Sequence, residues 1–224
     1  MLFRSWFSKK IQPAPVVLKK LHCPDIASLK KAITANEPVN IVLTGKKYHF
    51  EEPMNIAKQV HIRAANSAPV EFSSNSQESI FILEGRGSLL LEKLNINAAG
   101  VQARYFITSS IKASSSHFSL RINKCTITQL GKNNPVEAVF FANKSSVADS
   151  IVIRETVFSD NRTDLVLMTE EKDNKGYYNA EHIVFSGNNV RQLQGRILSV
   201  YRGGNDESTM GPSLKFTDNI LNNC

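Results

Sequence analysis

Residues 151–158 read IVIRETVF. Ile151 and Ile153 are apolar two positions apart, Thr156 is small and polar, and Phe158 is apolar again. A step of two is the period of a β-strand. The odd step from Ile153 to Thr156 swings the chain onto a new face, so the segment reads as a strand, a corner and a second strand. The same pattern occurs at Leu89-Leu91-Leu94-Ile96, Leu120-Ile122-Cys125-Ile127, Ile183-Phe185-Asn188-Val190 and Leu214-Phe216-Asn219-Leu221. In chain order the five copies start 31, 31, 32 and 31 residues apart. Repetition at a fixed period of this length marks a stacked architecture.

A further apolar strand recurs at a similar phase: Phe106-Ile107, Val139-Phe140-Phe141, Leu165-Val166-Leu167, and Ile197-Leu198 with Val200. Three short strands per period, with no helical stretch between them, predict an all-β fold, a right-handed parallel β-helix of 31 residues per coil. A β-sandwich would show hairpin turns every 8–12 residues or so without a fixed repeat. The corner column Leu94, Cys125, Thr156, Asn188, Asn219 ends in two asparagines, which predicts a short ladder of inward amides bonding corner to corner near the C-terminal end.

The two ends read differently. Pro24-Asp25 signals a helix start, and Ile26, Leu29 and Ile33 then share one helical face, so a short amphipathic helix is expected to cover the front of the solenoid. Coils are expected from Val39 onward, through Val60-His61-Ile62 and Val70-Glu71-Phe72. Residues 1–20 read as a flexible or non-native terminus, and residues 21–224 as one β-helix domain. After the fifth copy the chain stops at Cys224, so a bare coil is expected there, pointing to a homodimer or to truncation.

Composition narrows the function classes. Lys and Arg total 27 against 20 Asp and Glu, a net charge of +7 that favours acidic polymers as partners. The basic residues are scattered in short doublets, with no recognition-helix or zinc-finger pattern, so nucleic acid is not expected as a partner. No apolar run is long enough to span a bilayer as a helix, and no membrane partner is expected. Cys23, Cys125 and Cys224 are too far apart in sequence for a CxxC metal pair, and His49, His61, His117 and His182 differ in period and phase.

The segment YRGGNDESTMGP (residues 201–212) interrupts the strands with two glycines, charges of both signs and a Gly-Pro stop, and reads as a turn between coils. Together with the coils around it, this run resembles the C-terminal β-helix domain of family six polysaccharide lyases, the alginate lyases and chondroitinase B-like enzymes. IVLTGKKYHFEEPMNI (residues 41–56) and VHIRAANSAPVEF (residues 60–72) resemble the opening of that same domain. The resemblance implies a secreted or periplasmic parent enzyme that cleaves an acidic uronate polysaccharide, with alginate first among the candidates, by β-elimination. It also implies that the catalytic Lys and Arg and the calcium site belong to an N-terminal catalytic β-helix domain absent from this chain.

Within the chain, Lys172, Asp173 and Lys175 in one turn, and Arg202, Asp206 and Glu207 in the next, could bring cations and carboxylates together. Charged turns are ordinarily solvated faces, so no catalytic residue and no metal ligand is assigned. Lys175, Tyr177, Tyr178, Tyr201, Arg202, Asp206 and Glu207 are candidates for substrate binding or for a domain interface, the tyrosines by stacking on sugar rings. The competing readings are a stand-alone noncatalytic glycan-binding or adhesive β-helix, and a complete lyase with an atypical site in these turns.

Overall fold

The computed structural model describes residues 18–111, 116–171, 178–201 and 211–224. Strand β1 (Lys19–Cys23) leads into helix α1 (Ile26–Thr34). The first coil is β2 (Val39–Leu43), β3 (Lys47–Phe50) and β4 (Met54–Ile56), and the second is β5 (Gln59–Ala64), β6 (Val70–Ser74) and β7 (Ser79–Leu83). The third is β8 (Ser88–Glu92), β9 (Asn95–Val101) and β10 (Tyr105–Ser109), and the fourth is β11 (Ser116–Asn123), β12 (Thr126–Thr128) and β13 (Ala138–Phe141). The fifth and sixth coils are β14 (Val147–Arg154), β15 (Val157–Ser159) and β16 (Asp164–Met168), then β17 (Ala180–Ser186), β18 (Asn189–Arg191) and β19 (Leu198–Val200). Strands β20 (Ser213–Thr217) and β21 (Ile220–Asn222) begin a seventh.

Equivalent strands stack into three parallel sheets of eight, seven and six strands. Sheet A holds the first strand of each coil, sheet B the second and sheet C the third. The sequence repeat is the structural repeat: Leu89, Leu120, Ile151, Ile183 and Leu214 are Cα partners up sheet A, and Ile96, Ile127, Phe158, Val190 and Leu221 up sheet B. Their side chains point inward, and down to β18 they form one continuous core with fully buried Phe72, Phe106, Phe140, Phe158 and Phe185.

Helix α1 covers the front as the sequence predicts. The Asp25 carboxylate accepts the Ser28 N–H at 2.8 Å and the Asp25 N–H donates to the Ser28 hydroxyl at 3.3 Å, a capping box that satisfies backbone groups at the helix start. Leu29, Ala32 and Ile33 are then buried against β1 to β4. At the other end Leu214, Phe216, Ile220 and Leu221 are exposed.

Corners between sheets A and B have two recurring features. Lys93, Lys124, Glu155, Gly187 and Asp218 occupy the same corner of successive coils, all with φ between 48° and 67°. Next to each lies the inward corner residue, and here the expected ladder is present. Cys125 N–H donates to Thr156 Oγ1, Thr156 N–H to Asn188 Oδ1 at 3.0 Å, and Asn188 N–H to Asn219 Oδ1 at 2.9 Å. The amide nitrogens of Asn188 and Asn219 donate back to the carbonyls of Ile153 and Phe185. A second inward amide lies after sheet B. Asn161, fully buried, accepts the Leu130 N–H and donates to the Ile127 carbonyl, closing polar groups that no water reaches.

Candidate functional site

Of the residues singled out in the two charged turns, Lys172, Asp173, Lys175, Tyr177, Arg202, Asp206 and Glu207 lie outside the described residues. Tyr178 and Tyr201 are described, at the sheet C to sheet A corners of adjacent coils. The Tyr178 hydroxyl donates to the carboxylate of Glu181 at 3.1 Å, and partial burial followed by that carboxylate raises its pKa. Tyr201 is exposed, with its N–H held by the Met168 carbonyl. Tyr201 thus has the accessible ring that sugar stacking requires, whereas the hydroxyl of Tyr178 is already engaged.

The floor of this corner is a buried polar network. The Ser109 hydroxyl donates to Ser146 Oγ at 2.8 Å and accepts the Asn143 N–H at 2.8 Å, and the Asn143 carbonyl accepts from Ser146 Oγ at 2.6 Å. Glu171, fully buried, takes the Ser145 N–H and the Asn179 amide, so the chain is pinned where it enters residues 172–177. Buried hydrogen-bond networks of this kind fix a turn's geometry.

On the outer face of sheet C beside that corner, Tyr105 and Phe141 stack at 4.1 Å with their planes 3° apart. Arg104 lies 5.0 Å above the Tyr105 ring and donates to Glu137 at 2.6 Å. These residues border a hollow of about 390 Å³ that Glu78 and Glu170 also line. Burial, then the Glu137 carboxylate, pushes the Tyr105 phenol up to about 12, so it stays protonated near neutrality and cannot serve as a base there. With Arg104 paired to Glu137, the other charged groups lining this hollow are the carboxylates of Glu78 and Glu170, a lining that disfavours an anionic ligand.

The outer face of sheet A is different. Arg63, Lys93, Arg121, Lys124 and Arg154 line two adjoining hollows along its edge with sheet B. Beside them, His61 Nε2 lies 3.2 Å from Glu92 Oε2. Burial, opposed by Glu92 and aided by Arg63, lowers the His61 pKa below its model-compound value of 6.5. As pH falls below about 6.5 the unfolded chain takes up a proton at this position that the folded chain resists, so stability is lost in that window. We expect urea midpoints measured from pH 7.5 to 5 to fall less steeply for His61→Gln than for the parent chain. Identical slopes would remove His61 as a contributor.

Among the described residues, no group of three His, Cys, Asp or Glu side chains could hold a metal ion, and no helix is long and apolar enough to cross a membrane. No protein-family model matches the chain, and no curated protein matches it. Solved structures do match. The PL6 family alginate lyase AlyGC superposes with a TM-score of 0.81 and 27% identity, over 98% of this chain and 31% of that one. An arginine-to-alanine mutant of AlyGC gives 0.81 and 28% over the same shares.

The parallel β-helix architecture is shared with these PL6 family alginate lyases. The likeness extends over 98% of this chain, and so over nearly every coil. This chain spans about a third of the length of the lyases it matches.

Proposed function

We propose that this chain is an accessory β-helix domain of a family six polysaccharide lyase that cleaves an acidic uronate polymer, alginate, by β-elimination, with the catalytic groups on another domain of the parent. The observation that carries this reading is the match to alginate lyases over 98% of this chain but only 31% of theirs. Elimination beside a uronate carboxylate needs a cation on that carboxylate, with a base and an acid within hydrogen-bond reach of the reacting carbons. Among the described residues, the sheet C hollow offers a protonated tyrosine and a paired arginine. The described residues also do not fit calcium, which has no converging ligand trio here. We assign the calcium site, the Lys and the Arg of the chemistry to the partner N-terminal β-helix domain.

A polymeric substrate outside the cell goes with a secreted or periplasmic enzyme. Residues 172–177 and 202–210, which follow strands β16 and β19 in the sequence, are the proposed contact with the catalytic domain or with a second copy in a homodimer.

The test is absorbance of unsaturated uronate products from the folded 224-residue chain mixed with calcium and alginate. We expect no product. Accumulating product would place the chemistry within this chain and overturn the accessory reading.

A further inference from the structure

The corner between sheets A and B is drawn tight in most coils, where two residues separate the strands. In the second coil residues 65–69 intervene between β5 and β6. Ala65, Asn66 and Ser67 of this longer corner form one wall of a hollow of about 510 Å³ that contains Arg63, Lys93 and Lys124. Lys124 also lines the adjoining hollow of about 500 Å³ with Arg121 and Arg154, so the two share a cationic boundary. Five cations from four successive coils thus meet on one edge of the solenoid.

Two carboxylates line the same edge, and both have partners. Glu92 accepts from the Asn123 amide at 3.3 Å, and Glu155 forms a long, solvent-exposed pair with Lys124 at 3.6 Å that a polymer carboxylate would displace. Arg63, by contrast, keeps a buried Nε with no hydrogen-bond partner among the described residues.

The geometry sets the direction of a ligand. Neighbouring coils are about 4.8 Å apart along the axis, close to the length of one sugar in an extended polymer. Arg63, Lys93 and Lys124 belong to the second, third and fourth coils, so they climb the axis one cation per coil. A polyuronate carries one carboxylate per sugar. The ladder ends where the corner column changes sign, at Glu155 and, two coils on, Asp218.

We infer that this edge binds an acidic polysaccharide laid parallel to the solenoid axis, with Arg63, Lys93 and Lys124 each meeting one carboxylate. Asn66, Asn95 and Thr126 supply neutral hydrogen-bonding groups for its hydroxyls. The choice of a uronate polymer rests on the proposed function; the anion-binding edge rests on its own charges.

Titration calorimetry of the 224-residue chain with alginate oligomers at fixed salt tests it, comparing Lys93→Gln/Lys124→Gln with a charge-matched control, Lys19→Gln/Lys31→Gln. All four lysines are exposed, and unchanged thermal melts will verify folding. Loss of two charge-assisted contacts is expected to weaken binding by about tenfold or more, with the control within about twofold. Carboxyl-reduced alginate should not bind. Alginate binding that survives the Lys93/Lys124 change overturns this edge and leaves the accessory-domain reading standing. Absence of alginate binding by the unaltered chain, or tighter binding of duplex DNA than of alginate, overturns the uronate site and removes the substrate from the proposed function as well.

Discussion

Phe185→Ala is expected to destabilise the protein by about 3–5 kcal/mol, the usual cost of emptying a fully enclosed aromatic site. Phe185 has no exposed surface and stacks between Phe158 and Phe216, with ring centroids 6.4 and 5.3 Å away and planes within 18° and 10°. In a solenoid each coil touches only its neighbours, so the lost contacts are not shared out over a wide core. Urea denaturation followed by circular dichroism reads the change, and about 2–4 °C of melting temperature per kcal/mol is expected at this chain length. Phe216→Ala is the internal comparison. That ring is 43% exposed on the seventh coil, and its removal should cost far less. Equal losses at the two positions would mean that stacking order, and not burial, sets the energetics.

Asn188→Ala is expected to have the next largest effect. Its side chain accepts the Thr156 N–H and donates to the Ile153 carbonyl and to Asn219, inside a corner where it is 1% exposed. Alanine leaves a buried N–H and a buried C=O unpaired, at about 1–3 kcal/mol each. Asn219→Ala removes an equivalent pair of bonds at a half-buried corner, where water can replace them, so a smaller loss is expected. The same denaturation series measures both. Near-equal losses would show that the Asn188 corner is wetter than its burial implies.

How legible the molecule was in its sequence depends on whether a feature repeats. The coils were readable because Leu89, Leu120, Ile151, Ile183 and Leu214 return at one phase and must all face one core. The Asn188–Asn219 ladder was readable for the same reason. Asn161 was not, because its corner column holds no second asparagine to draw attention to it. The functional surface was harder. Arg63, Lys93, Lys124 and Arg154 stand far apart along the chain and look like scattered surface charge. Only when the sequence is folded at the coil period do Lys93 and Lys124 fall at one corner, beside the strand that carries Arg63. The charged turns attract the eye as local clusters, yet the described structure gathers its cations by stacking instead.

The left-handed corner column carries a consequence of its own. A non-glycine residue held at positive φ costs about 1–2 kcal/mol, and Gly187 shows that the column accepts a residue free of that cost. Lys93 and Lys124, at φ 52° and 53°, are at once the bearers of backbone strain and the cations of the edge. Binding capacity and thermal robustness therefore compete at the same two residues: exchanging either lysine for glycine gives up a charge and relaxes the chain in one step, with the aromatic core left untouched.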